Sequence, residues 1–441
     1  MGKIIQPRTL KGFRDQLPAS MIPRERLIDT AREVYRSFGF VPIETPALEY
    51  TEILLGKGGA ESDKQMYRFE DPGGRDVSMR FDLTVPLARF VAQHVGALGT
   101  PFKRYQVGSV WRGENTQRGR YREFTQCDFD TIGTESVLAD VETILVIHEL
   151  FSRLEVGGFV IHVNERRVLS GLFERLGLLE TSQPLLRALD KLDKVGAEGV
   201  TDEMVRQAGV SKEQAEEILR WAGLEGSNQD VLDALPGMVA GSEQGEAGLR
   251  RLRAVIEGAM AGGASSDQMT INLGIARGLD YYTGIVFETT LDDLPGIGSC
   301  CSGGRYDDLA SLYTKQHLPG VGASLGLDRL LAALEELGRT DKRATTAEVF
   351  LVLFGDQRVA DHIQLANRLR SAGLNVELYP EPRKLGAQFK YADRRGHSLA
   401  IVVGDDEWER GVAQLKQMDS KQSQEVSLEK LPAICLELLG R

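Results

Sequence analysis

The sequence predicts an α/β protein of the α+β kind: two β-rich blocks separated by a helical insertion, followed by a small α/β domain. Three patterns carry this expectation. Residues 105–131 and 269–334 contain runs with the two-residue alternation of half-buried strands. Residues 164–265 are rich in Leu, Ala, Glu, Arg and Lys at helical spacing, with few β-branched runs. Beyond residue 347, apolar strand-like runs alternate with helical ones, the order of a sheet wound with crossover helices.

Taken in order, Leu27, Ile28, Ala31, Val34, Tyr35 and Phe38 share one helical face, so a helix is expected over residues 23–38, closed by Gly39. FVPIETPALEY then reads as a strand, and Pro42 and Pro46 suit an edge or an interface better than a sheet centre. YQVGSVWR and FTQCDFDTIG read as strands joined by the polar loop GENTQRGRYRE, and a helix is expected over 136–154. After the insertion come INLGIARGLDYYTGIVFETTL, a glycine-rich segment, and a helix from Gly326 onward. A charged linker, residues 338–347, leads to strand VFLVLF, helix 359–372, strand NVELYP, helix 384–396 and strand LAIVVG, which together suggest a mostly parallel sheet. The expected domains are 1–165 joined with 266–337, the insertion 166–265, and 346–441.

Composition narrows the function classes. Hydrophobic residues at 42% and charged residues at 27% are the balance of a globular protein with large cores. No apolar run approaches the roughly 20 residues of a membrane span. The first fifteen residues lack the apolar stretch of a signal peptide. Cys127, Cys300, Cys301 and Cys435 form no CxxC pair, and the six histidines show no HxxxH or HExxH spacing. Reduced cysteines, no metal site and a cytoplasmic location are therefore expected. The net charge of −11 argues against a general nucleic-acid binder, so any such contact must come from local basic patches.

Three segments could carry chemistry. In the first, Arg112, Arg118, Arg120 and Arg122 fall within eleven residues, interleaved with Glu114, Glu123 and Phe124. Guanidinium forks bind phosphate oxygens two at a time and an aromatic face can stack on a purine, though a solvated charged hairpin has the same composition. In the second, Arg277-Gly278-Leu279-Asp280-Tyr281-Tyr282-Thr283-Gly284 reads either as a polar pocket or as a hairpin whose tyrosines cover the core. In the third, small residues from Gly320 to Gly326 lead into a helix carrying Arg329; such an entry receives phosphate or allows close helix–sheet packing. Neither a Walker A loop nor a GxGxxG fingerprint is present.

In this order and spacing the segments resemble the signature motifs of class II aminoacyl-tRNA synthetases. FGFVPIETPALEY resembles motif 1, the dimer interface; VWRGENTQRGRYREF resembles motif 2; GVGASLGLDRL resembles motif 3. ARGLDYYTGIVFE resembles a segment peculiar to the histidyl-tRNA synthetase family, which RFDLTVPLARF and QCDFD also match. The resemblance covers nearly the whole chain. It implies an antiparallel-sheet catalytic domain with a helical insertion and a C-terminal anticodon-binding domain. It also implies the substrates ATP (with Mg2+) and L-histidine, the partner tRNA(His), a homodimer, and no membrane. The motif 2 loop, GENTQRG, departs from the HERPQ form of many bacterial members; it reaches the tRNA acceptor end, and Gln117 aligns with a base-reading position.

Residue by residue, the family implies that Asp82, Thr84 and Gln126, with Leu83 between, hold the histidine α-ammonium. Asp130 and Tyr282 face the imidazole and Tyr281 lines the pocket. Arg112 meets the α-phosphate and the substrate carboxylate, with Arg277 on the other side. Glu114 meets adenine, Phe124 stacks on it, and Arg120 and Arg329 hold the γ-phosphate. Gly303 and Gly304 resemble a strand whose missing side chains leave room for the ligand. Arg112, Arg277 and Arg329 are the expected catalytic residues. Attack of a carboxylate on an α-phosphate brings negative charges together, so it needs cations and alignment more than a protein acid or base. The rival readings are a non-catalytic paralogue that regulates histidine biosynthesis and a sensor of uncharged tRNA. The first lacks the anticodon domain and parts of RGLDYY, and the second would carry a fused effector; this chain keeps the former features and shows no effector.

Overall fold

The computed structural model describes residues 4–55, 60–275, 281–341, 343–355 and 357–441. They form two compact units: residues 1–14 with 27–339, and residues 15–26 with 340–441.

The larger unit is built on an eight-stranded sheet. Its order is Val41–Pro42, Phe102–Trp111, Glu123–Ile132, Gly320–Gly326, Cys301–Tyr306, Ile285–Leu291, Phe159–Glu165 and Met269–Ile271. The six central strands run antiparallel, and only the two edge strands pair in parallel. One face is covered by helices. Val34 and Tyr35 of the first helix, Ile144, Ile147 and Leu150 of helix Val137–Arg153, and Leu330 and Leu334 of helix Leu327–Glu336 pack with Tyr105, Phe129, Val321 and Phe287 of the sheet. The antiparallel sheet with one apolar face explains the alternation read from the sequence.

The first helix runs Pro18–Ser37, so Pro23 lies inside it rather than at its start. One missing amide near the helix start does not outweigh the buried stripe of Leu27, Ala31, Val34 and Tyr35. Gly39 closes it as expected, with φ +80° and the Phe40 amide returning to the Tyr35 carbonyl at 3.0 Å. FVPIETPALEY is not one strand. Val41–Pro42 borders the large sheet, while Leu48–Tyr50 joins a separate three-stranded sheet with Asp76–Met79 and Arg68–Glu70. Pro42 and Pro46 lack the N–H that a continuous ladder needs.

The helical insertion lies between strands Phe159–Glu165 and Met269–Ile271, from helix Arg166–Arg175 to helix Glu243–Ala261. Ser211 with Gln214, and Ser227 with Asp230, form reciprocal caps that fix two helix starts. Its apolar residues, among them Leu172, Met204, Ile218, Leu235 and Leu252, continue the core of the helix layer without a break.

The smaller unit has the strand order Val376–Leu378, Val349–Leu351, Leu399–Val402, Val412–Gln417, Ser423–Ser427. Only the first two pairings are parallel; the last two are antiparallel, so the expectation of a mostly parallel sheet is corrected. The missed hairpin is polar, with only Ala413, Leu415 and Val426 turned into the core, and gives little alternation to read. The parallel strands, by contrast, are covered on both faces, by Leu365, Leu369 and Leu431 on one and by Tyr379 and Ala392 on the other, hence their continuous apolar runs. All four cysteines are buried and none is in a disulfide. No helix among the described residues is long and apolar enough to cross a membrane.

Candidate active site

The strand register decides which side chains meet on the sheet face away from the helices. Along the strand Glu123–Ile132, Phe124, Gln126, Asp128 and Asp130 share that face, because side chains alternate. Opposite them stand Val110, Gly108, Gln106 and Arg104 on one neighbour, and Gly326, Ser324 and Gly322 on the other. Gly304 and Ser302 extend the face on the next strand. The intervening Cys127, Phe129, Val321, Ala323 and Leu325 belong to the helix-side core. From Phe124 to Asp130 the strand spans about 20 Å, room for a nucleotide at one end and an amino acid at the other.

The Asp130 end is a buried cluster of carboxylates and tyrosines. Asp82 precedes the helix Thr84–Leu98; its Oδ1 accepts the Val85 amide at 3.1 Å, satisfying one free N–H of the first turn. The Tyr281 hydroxyl stands 3.5 Å from Asp82 Oδ2 and also bonds Thr84. Burial raises the Asp82 pKa to about 6, against the opposing pull of the Val85 amide, Arg112 and Arg104. Leu83 is fully buried, and its carbonyl accepts from Arg104 Nη2 at 3.3 Å. That same Nη2 lies 2.7 Å from Asp130 Oδ2 and 4.0 Å from Asp128. The Tyr306 hydroxyl donates to Asp130 Oδ1. Burial raises the Asp130 pKa, and it pushes Asp128 up to about 7, with Arg104 opposing in both cases. Gln126 Nε2 donates to Ser324 Oγ at 2.8 Å. The Tyr281 ring packs edge-on against Tyr282 and Tyr306, at 5.0 and 5.8 Å between centroids.

Glycine leaves the space this cluster needs. A Cβ on Gly322 would lie 2.3 Å from Asp130 Oδ1, and one on Gly304 3.0 Å from the Tyr282 ring. Gly303 serves another purpose. Its Cβ would strike the Gly322 carbonyl oxygen at 2.1 Å, so its missing side chain lets two strands approach and opens no room on the site face.

The Phe124 end gathers guanidiniums. Arg112 follows the strand Phe102–Trp111; its Nε donates to the Phe81 carbonyl at 2.9 Å and its guanidinium lies 5.1 Å from the Phe124 ring centroid. Arg120 pairs with Glu114 at 3.2 Å. Arg329, on the first turn of helix Leu327–Glu336, donates to the Ser299 carbonyl at 2.5 Å. Its pKa is lowered, first by burial and then by the nearby charge of Arg120, as expected where cations converge. Gln117 is exposed in the turn of the motif 2 hairpin, where it bridges to Arg120. Arg277 falls in residues 276–280, outside the described residues.

Several residues that shape the site were not singled out in the sequence. Arg14 joins two elements at the Phe124 end: it bonds the Tyr121 hydroxyl at 2.8 Å, covers that ring at 3.8 Å, and pairs with buried Asp328 at 2.7 Å. Asp328 also accepts the Thr125 amide at 2.8 Å. Arg104, Asp128 and Tyr306 were missed as well. The available signal was two aspartates two residues apart in QCDFD, on a strand otherwise filled with core residues.

A family model described as histidyl-tRNA synthetase matches residues 12–330, and one described as an anticodon binding domain matches residues 348–438. These matches, on an antiparallel sheet with a two-ended polar face, define an aminoacyl-tRNA synthetase with its anticodon-binding unit. The histidine–tRNA ligase of Rhodopirellula baltica is 59% identical over 96% of both chains, and that of Wolinella succinogenes 48% identical over 94% of both. A crystal structure of histidyl-tRNA synthetase from a Nostoc species superposes with TM-score 0.90 at 37% identity, covering 99% of this chain and 100% of that one. The chain belongs to the histidyl-tRNA synthetase family.

Proposed function

We propose that this chain is a histidine–tRNA ligase that carries out both half-reactions on the open face of the large sheet. The observation that carries the reading is the polarity of that face. Buried Asp82, Asp128 and Asp130 with three tyrosines mark one end, and Arg112, Arg120 and Arg329 mark the other. An amino acid bearing an ammonium and a ring N–H suits the first end, and a triphosphate suits the second.

In the first step a histidine carboxylate oxygen attacks the α-phosphorus of ATP, the bond to pyrophosphate breaks, and pyrophosphate leaves with the electron pair. In the second, a ribose hydroxyl at the 3′ end of tRNA(His) attacks the acyl carbon, gives up its proton, and AMP leaves. Both steps depend on alignment and fixed positive charge. Asp82, Leu83, Thr84 and Gln126 hold the α-ammonium, Asp130 and Tyr282 read the imidazole, and Tyr281 closes the pocket. Arg112 and Arg277 flank the α-phosphate. Phe124 and Glu114 take the adenine, and Arg120 and Arg329 the γ-phosphate. The described residues include no cluster of three or more His, Cys, Asp or Glu arranged to hold a metal ion. Magnesium would arrive with the triphosphate and offset part of its charge.

The reading extends to assembly and partners. Helix Leu385–Arg395, with Lys390, Arg394 and Arg395, and Lys416 set 4.5 Å over Phe389, offer cations and an aromatic ring to the anticodon. Residues 1–165 with 266–337 are taken as the catalytic domain, 166–265 as its insertion and 346–441 as the anticodon-binding domain. A homodimer is supported by Val41, Leu48, Tyr50 and Phe69, apolar side chains left 43–52% exposed on the motif 1 side. We place the enzyme in the cytoplasm, with its tRNA. The deciding measurement is histidine-dependent exchange of pyrophosphate into ATP, followed by charging of total tRNA with histidine. Activity in both supports the ligase. Binding of histidine and ATP with no exchange would replace it with a non-catalytic paralogue.

A further inference from the structure

Five buried polar atoms without a hydrogen-bond partner among the described residues gather at one place: Nε and Nη1 of Arg104, Oε1 of Gln126, Oδ1 of Asp128 and Oδ2 of Asp130. Arg104 is fully buried. Its Nη2 bonds the Leu83 carbonyl and lies against Asp130 Oδ2, whereas the other two nitrogens make no bond. The register explains the grouping: Arg104 stands directly opposite Asp130, and Asp128 follows two residues along the same face. Asp130 is already engaged by Tyr306 and Arg104. Asp128 is held by Ser324 and keeps Oδ1 free of any bond. Unpaired buried polar atoms are costly, and so is a buried carboxylate pair without a counter-charge.

We propose that Asp128 is a further ligand-binding carboxylate of the amino-acid pocket, and that Arg104 is a positioning residue that balances Asp128 against Asp130 so that the pocket selects an amino acid carrying a ring N–H beside its ammonium. The proposal rests on the histidine-activation reading and deepens it. Asp128 Oδ1 accepts from a substrate N–H. Arg104 touches no reacting atom; its charge opposes the burial that raises the pKa of both carboxylates. Arginine suits the task because its planar fork can meet the Leu83 carbonyl and Asp130 from one nitrogen while its permanent charge reaches Asp128. Without that charge, burial drives both carboxylates to take up protons and lose their hold on a cation.

The test is a double-variant cycle read by pyrophosphate exchange, with KM for histidine and for ATP measured separately. Asp128→Asn should raise the histidine KM by about tenfold, the loss of one charged hydrogen bond. Arg104→Met should raise it by about a hundredfold, since both carboxylates lose their counter-charge. Arg104→Met combined with Asp128→Asn should do better than Arg104→Met alone, by about tenfold, because removing one carboxylate relieves the imbalance. The ATP KM should stay within about twofold throughout. A merely structural role would instead move both KM values together and give additive losses. Thermal melting reports whether each variant folds; if Arg104→Met does not, Arg104→Gln, which also removes the charge, replaces it in the cycle, with the same rescue expected. Additive or worse behaviour of the double variant, or an unchanged histidine KM in Asp128→Asn, overturns the proposal. Wild-type exchange with histidine separately tests the underlying reading. If the wild type fails, both fall; if only the cycle fails, the ligase stands and the roles of Arg104 and Asp128 do not.

Discussion

In the proposed site Asp130 serves both substrate recognition and folding, and its two simplest replacements should separate them. Asp130→Ala removes both the charge 2.7 Å from Arg104 and the acceptor of the Tyr306 hydroxyl. Breaking a buried ion pair by deleting one partner costs about 3–5 kcal/mol, and a buried hydroxyl left without an acceptor about 1–3 kcal/mol. The total, about 4–8 kcal/mol, is comparable with the whole stability of a typical domain. The raised pKa of Asp130 shows that burial opposes its charge, which favours the lower end of that range. Asp130→Asn keeps the volume, an acceptor for Tyr306 and Asp128 as a counter-ion for Arg104, so about 1–2 kcal/mol is expected. With roughly 330 residues in the larger unit and about 2.1 cal/mol/K per residue, these costs lower its melting temperature by about 6–12 °C and about 1–3 °C respectively. Both variants lose the anion proposed to face the imidazole, so in any folded protein the histidine KM should rise about 10- to 100-fold while the ATP KM holds. Differential scanning fluorimetry and pyrophosphate exchange on the same preparations decide the matter. If Asp130→Ala melts like the wild type, Asp130 does not hold Arg104; if the histidine KM is unchanged, it does not read the imidazole.

Three further outcomes follow from the same geometry. With its pKa raised to about 6, Asp82 is anionic in the free enzyme above that pH and takes up a proton as the pH falls through it, so its grip on the α-ammonium weakens on acidification. The ratio of histidine KM between Asp82→Asn and wild type, in which titration of the free imidazole cancels, should be large at pH 8 and shrink toward one near pH 5; a pH-independent ratio contradicts this. Arg277→Lys should slow adenylate formation about 100- to 1,000-fold and affect transfer from preformed adenylate less; equal slowing of both single-turnover rates would make Arg277 a binding or structural residue. Deleting residues 347–441 should spare histidine activation far more than tRNA charging, and equal losses with the remaining unit still folded would remove the C-terminal unit from tRNA recognition.

Much of this protein was legible in local sequence. Alternation located the two strands that carry Arg112 and Asp130, because an antiparallel sheet with one covered face writes its burial directly into every second residue. Helical spacing located the insertion, and continuous apolar runs located the parallel half of the smaller sheet. The family resemblance put Asp82, Gln126, Asp130, Tyr281 and Tyr282 in one proposed pocket, and the tertiary structure gathers Asp82, Asp130, Tyr281 and Tyr282 around one carboxylate cluster. Where local rules compete, the sequence misled. A proline inside the first helix is tolerated because a buried face outweighs one lost amide bond. FVPIETPALEY divides between two sheets because its prolines interrupt the ladder. What only the tertiary structure decided are relations between distant positions. Arg14 meets Asp328 at the Phe124 end, Tyr306 meets Asp130, and Arg104 lies buried between two aspartates. Composition and periodicity register a residue's preference for water or core. Which charge faces which depends on strand register, a long-range pairing that no local window contains.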